Sequence, residues 1–252
     1  DKRIELYVMG IAFIVLVLLI ARKNGLKALF ALIVTIAFII KIFIPAIYSG
    51  YSPILFAIIT AVFSSLVTIY FTVGMNKKFV VALLGVTSGV LIAGILSYIF
   101  TYTMRLNGFL DSDLLSCAYL LKKIKIKELI PAGVIIGSLG AVMDVAVSIT
   151  SSINELHEAN PNISKKSMFK SAINIGNDII GTMINTLILA YIASSIFTLL
   201  LIYIQANEYP LIRILNFQDI AVEIMRSICG SIGILISVPL TAYIGTLIYK
   251  KK

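Results

Sequence analysis

The chain has 252 residues, of which 60% are hydrophobic and only 13% charged, and its formal net charge is +9. Its mean hydropathy is +1.03, and an ordinary soluble domain carries about twice that share of charge, so composition excludes a soluble protein and leaves an integral membrane one. The basic excess does not call for nucleic acid, because Lys and Arg stand at the ends of apolar runs, where anionic headgroups and membrane orientation account for them.

Apolar runs at about residues 6–21, 26–44, 52–73, 79–100, 131–152, 179–204 and 227–249 predict seven spanning helices in one transmembrane domain over 1–252. The first run is short, but Arg22, Lys23 and Lys27 follow it directly with no small-residue cleavage pattern, so it reads as a retained helix. Placing the amino terminus outside puts eleven of the 21 basic residues in the cytoplasm, among them Lys77, Lys78, Lys165, Lys166, Lys170 and the three carboxy-terminal lysines. The competing stretch is KKIKIK at residues 122–127, which with the preceding FLDSDLLSCAYLL reads as an interfacial helix within 108–128. Short loops orient a chain more strongly than long ones, so the amino terminus is expected outside and the carboxy terminus in the cytoplasm of a cell membrane of the bacterial type. A second interfacial helix is expected within 164–177, capped by Ser164, with Met168 and Ile175 on one side and lysines on the other.

The fifth run carries Gly133, Gly137, Gly140, Asp144, Ser148, Ser151 and Glu155 at spacings of three and four, which is one narrow helix face. Small residues let a neighbouring helix approach closely, so this face is expected to point at protein rather than lipid. Matching faces occur in the fourth run at Gly85, Gly89 and Ala93 and in the sixth at Asn174, Asp178, Gly181, Thr182 and Asn185. The seventh carries Gly230, Gly233, Ser237, Thr241 and Gly245, with Pro239 as an expected kink. Together they predict a bundle whose interior is polar along a track lined by Asp144, Ser148, Ser151, Asp178, Thr182 and Asn185. The glycines are in the first place packing devices, and Thr182 and Asn185 serve equally well as cross-helix hydrogen-bond groups. Asp178 stands toward the cytoplasmic end, where a helix amino terminus would favour a carboxylate. Asp144 has no such explanation, since a charge near the bilayer centre costs ~3 kcal/mol on insertion scales, and function is its default reading.

Enzyme chemistry has little to stand on. The only histidine, His157, lies in a polar loop, and the chain has neither a phosphate-cradling glycine loop nor His/Cys/Asp spacing suited to a metal. An intramembrane aspartyl protease would need Asp144 and Asp178 to face each other. No enzyme activity, cofactor or metal is therefore expected, and Cys117 and Cys229 are expected as free thiols.

The stretch GVIIGSLGAVMDVAVSITSSINEL, followed by SAINIGNDIIGTMINTLILAYIASSIFTLLL and preceded by VALLGVTSGVLIAG, closely resembles the YibE/YibF family of multi-pass membrane proteins, its shorter YibF-like branch in particular. That resemblance implies an all-α polytopic membrane helical bundle and says little about activity. Over residues 130–204 the pattern also resembles the transporter core of the RND superfamily, including the SecD and SecF subunits and the MMPL exporters, in which an intramembrane aspartate takes part in proton relay. Only Asp144 matches that position, and the large extracytoplasmic domain that those exporters use to handle substrate has no counterpart. The expectation is a membrane transport protein or transporter subunit, with proton-coupled export through Asp144. It would pair in the lipid bilayer with a second copy or with a paralogous YibE-like subunit. The alternatives are a non-catalytic assembly partner and a channel.

Overall fold

The structure is a computed structural model that describes residues 2–108, 124–205 and 210–249. Helix α1 spans Lys2–Phe38 and continues through a π-helical turn at Ile39–Phe43 into α2, Ile44–Tyr48. Then follow α3 (Pro53–Val73), α4 (Lys77–Thr103), α5 (Ile126–Ala159), α6 (Lys165–Ser194), α7 (Ile196–Gln205), α8 (Leu211–Leu215) and α9 (Gln218–Tyr249), with no strand among the described residues. The expected all-α polytopic bundle is what forms. Local chemistry sets several of its boundaries. Asn76 Oδ1 accepts the Phe79 N–H at 3.1 Å to open α4, and Ser164 Oγ accepts the Ser167 N–H at 3.1 Å to open α6. Gly74, at φ +80°, supplies the left-handed backbone that ends α3.

Among the described residues six stretches are long and apolar enough to cross a bilayer, the first being Arg3–Tyr48. This one holds two of the seven expected runs. They meet at Arg22, whose φ of 48° breaks the helix. Past the break, a Cβ built on Gly25 would lie 2.7 Å from the Val17 carbonyl oxygen, whereas a straight helix rises about 12 Å between those positions. Only the second arm packs on the bundle. Phe38 stacks on Phe63 with centroids 4.2 Å apart, and Thr35 and Ser64 share a hydrogen bond of 3.1 Å.

Two further expectations change. Residues 164–177 do not form a separate interfacial helix. They are the first turns of α6, because Met168, Ala172 and Gly176 recur every four residues and are buried against the bundle. The sixth run also divides, between α6 and α7, near Ser195. The interfacial helix expected within 108–128 falls largely on residues 109–123, outside the described residues. Pro239 sits within α9 without interrupting it.

Helix α5 is the hub, packed against α3, α4, α6 and α9. Its Val142, Val145, Ala146, Ile149 and Ile153 are fully buried among Val81, Val86 and Val90 of α4, Ile234, Val238 and Ala242 of α9, and Met168 and Ala172 of α6. In lipid the association of such helices rests on close packing, since hydrocarbon gives no solvent-driven force between them. Both ends of the bundle are tied by polar contacts. At one end Tyr249 Oη donates to Asn154 Oδ1 at 2.9 Å, Asn154 Nδ2 donates to Glu158 Oε1 at 2.6 Å, and Lys77 Nζ stands 5.7 Å over the Tyr249 ring. At the other the Ser52 hydroxyl donates to Glu128, whose carboxylate also lies 3.8 Å from Lys125 Nζ.

Candidate functional site

The polar track expected inside the bundle lies on its outside. Helix α5 turns its branched apolar side chains toward α3, α4, α6 and α9, and the face left over is Gly137, Gly140 and Asp144, all exposed, flanked by half-buried Gly133, Ser148 and Ser151. The physical reason is volume. Branched side chains fill the space between neighbouring helices, whereas a narrow row of glycine, serine and aspartate fills none of it. Beside it α6 exposes Asp178, Gly181, Thr182 and Asn185.

Two contacts set the register of this antiparallel pair. A Cβ on Gly137 of α5 would lie 2.8 Å from the Tyr191 hydroxyl of α6, and one on Gly176 of α6, which packs first against Val238 of α9, would lie 3.4 Å from Ile149 Cδ1 of α5. Interpolating between them puts Asp144 level with Thr182, with Asp178 and Asn185 about one helical turn to either side. Asp144 is near the midpoint of α5, a helix of 34 residues, about 51 Å long against a hydrocarbon core of about 30 Å. Asp178 does not sit at a helix amino terminus, because α6 already begins at Lys165. The dipole therefore offers it no local support.

Within this face the side chains are poorly partnered. Thr182 Oγ1 donates to the Ile179 carbonyl at 2.8 Å, a bond inside its own helix. Among the described residues Asp144, Asp178 and Asn185 make no hydrogen bond or ion pair, and no group of three or more His, Cys, Asp or Glu residues could hold a metal. The glycines divide into two sets. A Cβ on Gly89 would lie 2.8 Å from both Ser237 Cβ and Val142 Cγ1, one on Gly233 2.9 Å from Ala93 Cβ, and one on Gly230 2.9 Å from Leu187 Cδ2, while Gly85 abuts Thr241. Gly140 and Gly181, on the polar face, would meet nothing within 4 Å. Gly133 is intermediate, with the Arg226 guanidinium 3.7 Å from its Cβ position.

Sequence reading missed Tyr191, which fills the space that Gly137 leaves, and the pairing of Arg226 with Glu223 at 2.9 Å. The available signal was the i, i+3 spacing of Glu223 and Arg226 at the opening of α9. Cys229 is a buried free thiol, and Cys117 lies outside the described residues.

The family model described as YibE/F-like protein matches residues 9–251, nearly the whole chain, spanning α3 to α9 and with them both polar helices. The chain belongs to the YibE/F family. Among curated proteins and solved structures there is no match to it. In this YibE/F protein the features that set the fifth and sixth apolar runs apart, Asp144 and the Asp178–Asn185 row, are exposed on two helices, α5 and α6, that pack on each other.

Proposed function

We propose that this YibE/F protein is a subunit of a proton-coupled membrane transport assembly, with Asp144 as the proton-carrying group and the α5–α6 polar face as the surface on which the assembly closes. The observation that carries this reading is the position of Asp144, near the middle of a spanning helix, on an exposed face, with no partner among the described residues. A carboxylate facing hydrocarbon is costly, and a second copy or a paralogous YibE-like subunit laid over this face would relieve that cost. Gly140, where a Cβ would meet nothing within 4 Å, gives the partner backbone room to approach. A carboxylate enclosed this way changes the interactions of both subunits whenever it gains or loses a proton, which is the elementary step of a gradient-driven motion. The pattern likeness to the RND core favours the same role.

Cross-linking tests the assembly. In native membranes a Gly140→Cys variant should form an adduct, through a short bifunctional reagent, with a second copy or a paralogue, identified by mass, whereas a cysteine at exposed Leu84 on α4 should not. A Gly140→Cys protein that stays monomeric under conditions that preserve other membrane complexes would sink the proposal. The second reading, a non-catalytic assembly partner, is favoured by the glycines alone. On that reading Gly140→Leu breaks the complex and Asp144→Asn is tolerated.

For orientation we place the end carrying Lys77, Asn154, Lys165 and Tyr249 in the cytoplasm, supported by the basic residues gathered there. A membrane-impermeant amine reagent should then leave Lys166 unlabelled on intact cells and label it in inverted vesicles. The reverse pattern would invert the topology.

A further inference from the structure

Helix α9 opens with an unusual period. Asp219, Glu223 and Ser227 recur every four residues, and each is followed by an isoleucine, Ile220, Ile224 and Ile228. A four-residue period keeps both sets on one side of a helix, and here that side forms one wall of a cleft of about 230 Å³. The opposite wall comes from the end of α6 and the start of α7, with Tyr191 and Ser195 between Ile188 and Leu199. α9 enters the bundle at Gln218 while α6 leaves it at Ser194. Asp219 and Ser195 therefore mark the mouth, and Ile188 and Ile228 the deep end. The cleft is polar outside and apolar inside, along about 13 Å of helix.

Its polar groups are incompletely used. Glu223 accepts from Arg226 through Oε1 at 2.9 Å, and its other oxygen, Oε2, is buried with no hydrogen-bond partner among the described residues. The Tyr191 hydroxyl, on the facing wall, is likewise buried and unpartnered. A buried acceptor left in that state costs about 1–3 kcal/mol, so the site favours a donor. Arg226 does not line the cleft; its guanidinium approaches Gly133 of α5, and its Nε is buried with no hydrogen-bond partner among the described residues. What the cleft presents is the second oxygen of Glu223, a phenol and an isoleucine floor.

We propose that this cleft binds a single-chain amphiphile with a primary ammonium head, the head between Glu223 and Tyr191 and the chain along Ile188, Ile224 and Ile228. A primary ammonium carries three donors and no acceptor, which suits a carboxylate oxygen and a phenol. The volume is below the ~300–1,000 Å³ of drug-sized pockets, so it takes one short chain and not a two-chain lipid. Between Glu223 Oε2 and Tyr191 a phosphate would find a single phenolic donor facing a carboxylate oxygen, which leaves a free alkylammonium as the occupant. The inference does not depend on Asp144 titrating or on the assembly face being covered.

The test uses the full chain in phosphatidylcholine nanodiscs and radiolabelled decylammonium, with binding to nanodiscs lacking protein subtracted. The expected result is one saturable site per chain that decanol, decanoate and lysophosphatidylethanolamine do not displace. Glu223→Gln should weaken binding about tenfold or more, the loss of a charge-assisted hydrogen bond, and Tyr191→Phe should weaken it by a smaller factor. Non-saturable uptake, equal displacement by decanol or by the lysolipid, or unchanged affinity in Glu223→Gln overturns the proposal. Because Glu223→Gln also deprives Arg226 of its carboxylate, Ser227→Phe provides a second variant that fills the cleft and leaves the ion pair in place. It should abolish binding with an unchanged elution profile, and retained binding there equally overturns the proposal.

Discussion

Asp144→Asn should abolish the function of this protein while leaving its amount in the membrane unchanged. The substitution preserves shape and removes only the charge and the titrating proton. Asp144 is exposed and unpartnered among the described residues, so nothing in the fold leans on the carboxylate, and substitutions at such places cost within about 0.5 kcal/mol. A loss of activity therefore reads on the proton and not on folding. The measurement is complementation of a deletion strain, with membrane content followed by immunoblot and assembly by native electrophoresis. A hydrophobic carbodiimide, which modifies protonated carboxyl groups within the bilayer, should label Asp144 in the wild-type protein, more strongly at acidic pH, and should lose that adduct in Asp144→Asn. Full complementation by Asp144→Asn would remove proton coupling through this residue and leave the assembly-partner reading. Asp144→Glu, which keeps the titrating group one methylene further out, should retain part of the activity.

Gly89→Leu should have the largest effect on the fold. Helices α4 and α9 meet with glycine opposite glycine. The Cβ of any residue at position 89 falls 3.0 Å from the Gly233 carbonyl oxygen and 2.8 Å from Ser237 and Val142, and Gly233 in turn lies against the Gly89 carbonyl and Ala93. Backbone atoms on both sides cannot rotate away, so a leucine must part the helices. With them it opens the core around Val86, Val90 and Ile234. Overpacking one core site costs about 1–3 kcal/mol, and separating two membrane helices forfeits their packing as well. The expected outcome is loss of the monodisperse peak in size-exclusion chromatography of a fluorescent fusion, or a clear fall in Tm where some protein survives. Gly140→Leu is the control: the same change, on a face where a Cβ meets nothing within 4 Å, should leave the single chain folded with unchanged Tm. If Gly89→Leu matched Gly140→Leu in stability, the close approach of α4 and α9 would be wrong.

These two glycines show what a sequence pattern can and cannot say. Gly85 and Gly89 stand four apart, and Gly137 and Gly140 three apart, in equally apolar surroundings, and either spacing marks one face of a helix. The first pair meets α9, whereas Gly137 meets the Tyr191 hydroxyl of α6 and Gly140 faces outward on the side of Asp144. Composition determined that the chain is a membrane protein, because 60% hydrophobic residues have no aqueous solution. Apolar run length placed the helices of the all-α bundle, closely for α3 and α4, whereas α5, α6 and α9 begin well before their apolar runs; the asparagine and serine before α4 and α6 determined where those two begin. The motif-level resemblance extended to the family, since the glycine and aspartate pattern of the fifth to seventh runs lies within the matched region.

Only the tertiary structure decided the rest. It joined the first two runs through a left-handed Arg22, extended α6 back to Lys165 because Met168 and Ala172 found partners there, and turned the Asp144 face outward. It also brought Tyr191 beside Glu223 across one cleft, although the two are far apart in the chain. The physical reason is common to all of these. In water, polarity tells a helix face which way to point. In a bilayer, small and polar faces are equally suited to a neighbour in the same chain and to one in another. The branched side chains that win the interior of this bundle are distinguished only by the shape of the helices around them.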